Sequence, residues 1–328
     1  MKRTLVIGAG GQVGTELVVA LRALYGQENV LATDLSTDAA AALGGPFAPL
    51  DCTDGEAVLA AVRRFRPHAL FHLAALLSVT GEQRPRLAYR VNLGGLLNVL
   101  EAARAEGSAV FFASTIASFG PSIPLDLVPQ DAAQRPTTMY GITKAAGEMI
   151  CDYYHMRFGV DTRGVRFPGL ISHMAEPGGG TTDYAVEALR GAVAHGAYTC
   201  PLRPDTQLDM MYMPDAIRAA TELMEADPSR LTHRNACNIA AMQFTPRMLA
   251  AEIRHHLPHF RMDYRVDPLR QGIADSWPRR IDDSVAREEW GWKPEYDLAA
   301  MTAEMVANLR RRESASSDAP NPHPTVPR

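Results

Sequence analysis

The chain has 328 residues, 46% hydrophobic and 21% charged, enough for one large or two ordinary domains with a full core, which excludes a disordered or collagen-like chain. A net charge of −4 and a pI near 6.2 give no general electrostatic reason to bind nucleic acid. Four scattered cysteines (Cys52, Cys151, Cys200, Cys237) show neither Cys-x-x-Cys nor zinc-finger spacing, so reduced thiols in a cytoplasmic protein are expected, without disulfide or metal site.

From the N-terminus, short apolar runs alternate with helical patterns, as in βαβ units. Strands are expected at residues 4–7, 30–33, 69–73, 109–113 and 162–167, and helices at 13–24, 56–65, 86–106 and 141–158. The strand runs lack polar alternation, as in parallel sheets covered on both faces. The most apolar later stretch, 69–79, is far shorter than the ~20 residues of a membrane span. After about Gly169 the rhythm changes. Gly178-Gly179-Gly180-Thr181-Thr182 reads as a tight or flexible loop, helices are expected at 184–195 and 216–226, and Asp215 reads as an N-cap.

The first strand runs into Gly8-Ala9-Gly10-Gly11-Gln12-Val13-Gly14 and then a helix. Gly8 suits the turn, Gly11 lets a pyrophosphate approach the backbone, and Gly14 lets the helix lie on the sheet. Asp34 ends the second strand twenty residues beyond Gly14. A carboxylate there accepts from ribose hydroxyls and repels a 2′-phosphate, favouring NAD over NADP; the competing reading is a loop cap before Ser36. Asp51 suits an adenine-edge contact, or simply a solvated turn. The fold class is therefore α/β, a Rossmann-type doubly wound parallel sheet with a smaller C-terminal substrate domain. An NAD-binding domain is expected at 1–170, a substrate domain at 171–309, partly interleaved with the first, and a disordered tail at 310–328.

Tyr140 and Lys144 stand four apart and share a helix face. A phenol is a poor base at neutral pH, and a fixed cation beside it favours the phenolate. Ser114-Thr115, at the end of the 109–113 strand, reaches the carboxyl edge of the sheet, where ligands bind in open α/β folds. A nucleotide-binding edge, a hydroxyl, a tyrosine and a lysine together describe hydride transfer at an alcohol carbon.

On these residues the chain resembles the extended short-chain dehydrogenases/reductases, which include nucleotide-sugar epimerases. Further segments carry the likeness: His72-Leu73-Ala74-Ala75, Asn92, Arg166-Phe167-Pro168-Gly169 and Trp290-Gly291-Trp292-Lys293-Pro294. Within that superfamily Leu77-Ser78-Val79-Thr80-Gly81-Glu82, Met210-Met211-Tyr212-Met213 and the run from Pro177 to Val186 resemble the short-chain L-threonine 3-dehydrogenases. Departures stand at Val79, Phe167, Asp209 and Pro214, and none removes a catalytic group.

The resemblance implies oxidation of L-threonine at Cβ to 2-amino-3-ketobutyrate, with Tyr140 as base, Lys144 on the nicotinamide ribose and Thr115, with Ser114 as second candidate, on the substrate hydroxyl. It implies NAD contacts from Gly8, Gly11, Gln12, Val13, Gly14, Asp34, Asp51, Leu73, Ala74, Ala75, Asn92, Tyr140, Lys144 and Phe167. Ser78, Gly180 and Thr181 would hold the amino acid. A homodimer and metabolic coupling to a 2-amino-3-ketobutyrate CoA ligase follow by the same likeness. Trp277, Trp290 and Trp292 read as packing residues. A nucleotide-sugar epimerase or dehydratase of the same superfamily is the alternative enzyme, and a non-catalytic NAD sensor the alternative from another class.

Overall fold

The computed structural model describes residues 2–174 and 178–317. Its strands, in chain order, are β1 (Thr4–Ile7), β2 (Val30–Asp34), β3 (Phe47–Pro49), β4 (Ala69–His72), β5 (Ala109–Thr115), β6 (Thr162–Phe167), β7 (Gly169–Ile171), β8 (Ala197–Cys200), β9 (Leu208–Tyr212), β10 (Cys237–Asn238), β11 (Met242–Phe244) and β12 (Arg261–Tyr264). Seven form one parallel sheet in the order β10-β6-β5-β4-β1-β2-β3. Residues of β1, β4 and β6 are buried throughout, as the unbroken apolar runs demand of strands sandwiched between helices.

The expected 86–106 helix is interrupted. Pro85–Tyr89 and Gly95–Glu106 are joined by a π-helical turn, Arg90–Gly94. Asn92 sits in that turn with its amide turned inward to Leu76 and Thr143, a use typical of π-bulges.

The second half returns to the first. Strand β10 pairs with β6, and the Met213–Glu225 helix packs against Gln12–Tyr25. One core holds Val6, Leu17, Phe71 and Phe167 of the N-terminal half together with Met213, Ala219, Cys237 and Trp292. A second core, with Tyr184, Leu189, Phe244 and Met301, lies around the small sheet β11-β9-β7 and the pair β12-β8.

Two expectations are corrected. Asp215 caps no helix: the helix begins at Met213, and the buried Asp215 carboxylate accepts the backbone N–H groups of Glu295 and Tyr296 and pairs with Arg218. The last helix runs Leu298–Ser317, eight residues into the segment expected to be a disordered tail; residues 318–328 lie outside the described ones. Among the described residues no helix is long and apolar enough to cross a membrane.

Trp292 is 1% exposed, and its indole N–H donates to the Ala240 carbonyl at 3.2 Å. Trp292→Ala removes that fill from the shared core and is expected to destabilise the fold by about 3–5 kcal/mol, read as a lower urea midpoint.

Candidate active site

The glycine loop is shaped by contacts no side chain could survive. At Gly8 the backbone takes φ +88°, and a Cβ there would lie 2.6 Å from Ala74 N; at Gly14 it would lie 2.2 Å from Gly8 O. Gly11 opens the Gln12–Tyr25 helix with no side-chain cap, so the first-turn N–H groups remain available to an anion. From this loop a cavity of about 410 Å³ extends past Leu73 and Ala75 to Thr115, Tyr140, Lys144 and Phe167, with Gln12 and Val13 in its wall.

Asp34 serves two turns at once. Its Oδ2 accepts Gly10 N at 2.8 Å and its Oδ1 accepts Ser36 N at 3.2 Å, so the loop-capping contact coexists with a place beside the glycine loop. Asp51 is exposed, and its Oδ1 accepts both the N–H and the hydroxyl of Thr53 at 2.8 Å. These bonds hold its pKa below the usual carboxylate value. Asn92 lies outside the cavity wall: its side chain ties the Leu76 backbone to Thr143 on the helix that carries Tyr140 and Lys144.

Thr138 caps the Met139–Phe158 helix by accepting Gly141 N at 3.1 Å. This fixes Tyr140 in the first turn and Lys144 one turn on. Lys144 Nζ donates to the Ala113 carbonyl at 2.6 Å and lies 5.7 Å from the Tyr140 ring centroid. Burial pushes the phenol up to about 12, with a hydrogen bond to Thr115 opposing it, and pushes Lys144 down to about 8. In the protein alone the ammonium therefore does not bring Tyr140 to the neutral range. Removal from water outweighs a cation at that distance.

The two neighbouring hydroxyls divide. Thr115 is bonded to Tyr140, whereas Ser114 donates to the buried Glu148 carboxylate. At the far end Ser78 Oγ and Thr181 Oγ1 lie 3.3 Å apart, both buried. Ser78 and Gly180 line the cavity, while Thr181 stands behind Ser78; Thr182 and Asp183, not singled out from sequence, take the wall instead. Asp183 Oδ2 accepts Gly179 N at 2.8 Å and Gly180 N at 2.7 Å, setting the loop. Pro177, at the head of that run, lies outside the described residues. Trp277 also lines the cavity, and its buried indole N–H has no partner among the described residues, so the packing role expected for it is incomplete. Nothing local to its sequence signals this.

Residues 4–240 match the model of the NAD dependent epimerase/dehydratase family. An uncharacterized epimerase/dehydratase of Staphylococcus haemolyticus is 53% identical, the alignment covering 95% of this chain and 99% of that one. The structure of L-threonine dehydrogenase from Clostridium difficile superposes with a TM-score of 0.93 at 46% identity, covering 95% and 98% of the two chains. The holo form of a GalE-like L-threonine dehydrogenase from Cupriavidus necator gives 0.91 at 49% identity, covering 94% and 99%. The glycine cradle and uncapped helix fit the dinucleotide that these matches name. This chain accordingly belongs to the NAD-dependent epimerase/dehydratase family, and its cofactor is NAD.

Proposed function

We propose that the chain oxidises L-threonine at Cβ to 2-amino-3-ketobutyrate. The observation that carries this reading is the joining of the Tyr140 and Thr115 hydroxyls beside Lys144, at the carboxyl end of β5, in a cavity that begins at the glycine loop. Beyond them Ser78, Thr182 and Asp183 set polar groups into a wall otherwise made by Leu76, Leu77, Leu170 and Trp277. It suits a zwitterion. Asp183 is the one carboxylate among the described lining residues and complements an ammonium, while the Trp277 N–H and the hydroxyls of Ser78 and Thr182 are donors for a carboxylate. Thr181 supports Ser78 from behind.

NAD, when bound at the glycine loop, would supply the hydride acceptor, C4 of its nicotinamide. Tyr140, as phenolate, takes the proton of the Cβ hydroxyl while the Cβ hydrogen leaves with its electron pair and the C–O bond becomes a carbonyl. Thr115 orients that hydroxyl, and Lys144 steadies the negative phenolate. In this reading Asp34, beside the glycine loop, accepts ribose hydroxyls. The product is a β-keto acid prone to lose CO₂, which suits consumption by a CoA-dependent ligase. Nucleotide-sugar turnover is the second reading, favoured by the names of the curated relatives.

A homodimer is proposed from one stripe of the Met139–Phe158 helix. Ile142, Met149, Tyr153 and Met156 recur at helical spacing, and all are exposed, Met156 by 78%. Replacing both Tyr153 and Met156 by Asp is expected to convert the dimer to monomer in size-exclusion chromatography with light scattering. An unchanged mass assigns the stripe elsewhere.

NADH should form from L-threonine and not from UDP-sugars; turnover of UDP-sugars alone overturns the reading. Tyr140→Phe should lower kcat by about 10²-fold or more while NAD binding persists. Because burial raises the phenol's pKa and the base acts deprotonated, kcat/KM of the parent enzyme should rise with pH through the neutral range. Asp34→Ala should weaken NAD and narrow its preference over NADP; an unchanged ratio removes Asp34 from the ribose site.

A further inference from the structure

One turn beyond Lys144 on the same helix lies Glu148, a carboxylate 2% exposed that the mechanism above does not use. A buried charge of this kind survives only with excellent partners. Arg166 supplies them as a fork: Nε donates to Oε1 and Oε2 at 3.1 and 3.2 Å, and Nη2 to Oε2 at 2.9 Å. Gln134 donates to Oε2, and the Ser114 hydroxyl to Oε1. Arg166 is itself held by the Gln130 carbonyl at 2.8 Å and Asn238 Oδ1 at 3.1 Å. The carboxylate is thus locked from β5, β6 and the 130–134 loop at once.

Lys144 is buried among groups that cannot balance its charge. His72, on β4, is held neutral by burial, which pushes its pKa down to about 3, and both its ring nitrogens lack partners among the described residues. Burial pushes the Cys151 thiol, on the helix's own next turns, well above its usual value, so it is neutral too. Tyr140 and the Phe112 ring complete the surroundings, the latter 4.8 Å below the ammonium. Among the groups acting on Lys144, Glu148 is the carboxylate, one helical turn away, and its attraction raises the Lys144 pKa against the effect of burial.

We propose that Glu148 is a positioning residue: held by the Arg166 fork one helical turn from Lys144, its carboxylate keeps Lys144 in the charged form. The kinetic consequence rests on the proposed oxidation; the charge of Lys144 does not. The sign follows from the geometry. Burial already lowers Lys144 to about 8 with the carboxylate present. Without it the ammonium would lose its proton at lower pH, and the unpaired Arg166 would push in the same direction.

The chain has three lysines, Lys2, Lys144 and Lys293. Protein labelled with ¹³Cε-lysine therefore gives three resonances to titrate, assigned through Lys2→Arg and Lys293→Arg. Glu148→Gln is expected to move the Lys144 midpoint down by about one unit or more, leaving the other two in place. Glu148→Asp, which keeps the charge at a greater distance, should give an intermediate midpoint. An unmoved Lys144 midpoint in Glu148→Gln overturns the proposal, whatever the substrate. If Glu148→Gln does not fold by circular dichroism, Glu148→Asp decides alone, and its failure to lower the midpoint overturns the proposal. A shifted midpoint in a protein inert toward threonine supports this inference while refuting the proposed oxidation.

Discussion

The buried Arg166 guanidinium is the joint on which the molecule turns. It sits on β6, grips Glu148 of the helix that carries Tyr140 and Lys144, and bonds the Gln130 carbonyl and Asn238 of β10. Desolvating both charges is costly, so such a pair adds little net stability over an apolar substitute, yet breaking it leaves a charge stranded. Its value lies in direction. A fork donates to carboxylate oxygens in one plane only, and that plane sets the Met139–Phe158 helix against the sheet edge. Asn238 then passes the constraint to the Val128 carbonyl and to that of Asp282, in the segment that follows Trp277.

The same joint explains why the site can be dry and still hold ionic groups. Lys144, Glu148 and Arg166 lie in succession from cavity to interior, each bonded before it reaches the next. Tyr140 stands at the cavity end of that row, its phenol linked to Thr115. A low-dielectric setting makes every charge in the row count for more than it would in water, which is why one carboxylate two turns from the phenol matters.

How much of this could be read from the chain depended on distance along it. The glycine loop, Tyr140 with Lys144, and the five central strands are legible because their physics is local: a turn, an i, i+4 face, an unbroken apolar run. Asp215 misleads because its partners, Glu295 and Tyr296, lie about eighty residues away and turn a capping residue into an inter-segment clamp. Thr182 and Thr181 are neighbours with the same side chain, and only the path of the Gly180 loop decides which faces the cavity. Trp277 reads as core until its N–H is found without an acceptor among the described residues. The arginine run at 310–312 suggests a solvated tail, but Leu309 behind it is buried, and the helix carries on past it.

Strand β10 is two residues long, yet it closes the edge of the seven-stranded sheet beside β6, and Trp292 fills the layer above it. A ribosome that has released only the first 170 residues has made Thr115, Tyr140 and Lys144 without the strand that covers β6 or the asparagine that holds Arg166. The nascent half-sheet leaves a parallel edge open for another sixty-odd residues of synthesis. For anyone building chimaeras from this family the same fact sets the splice points: exchanging everything after residue 170 transplants part of the nucleotide-binding layer as well. A graft meant to change only the cavity wall around Gly180 and Thr182 has to leave 213–240 and 284–292 with their original partner.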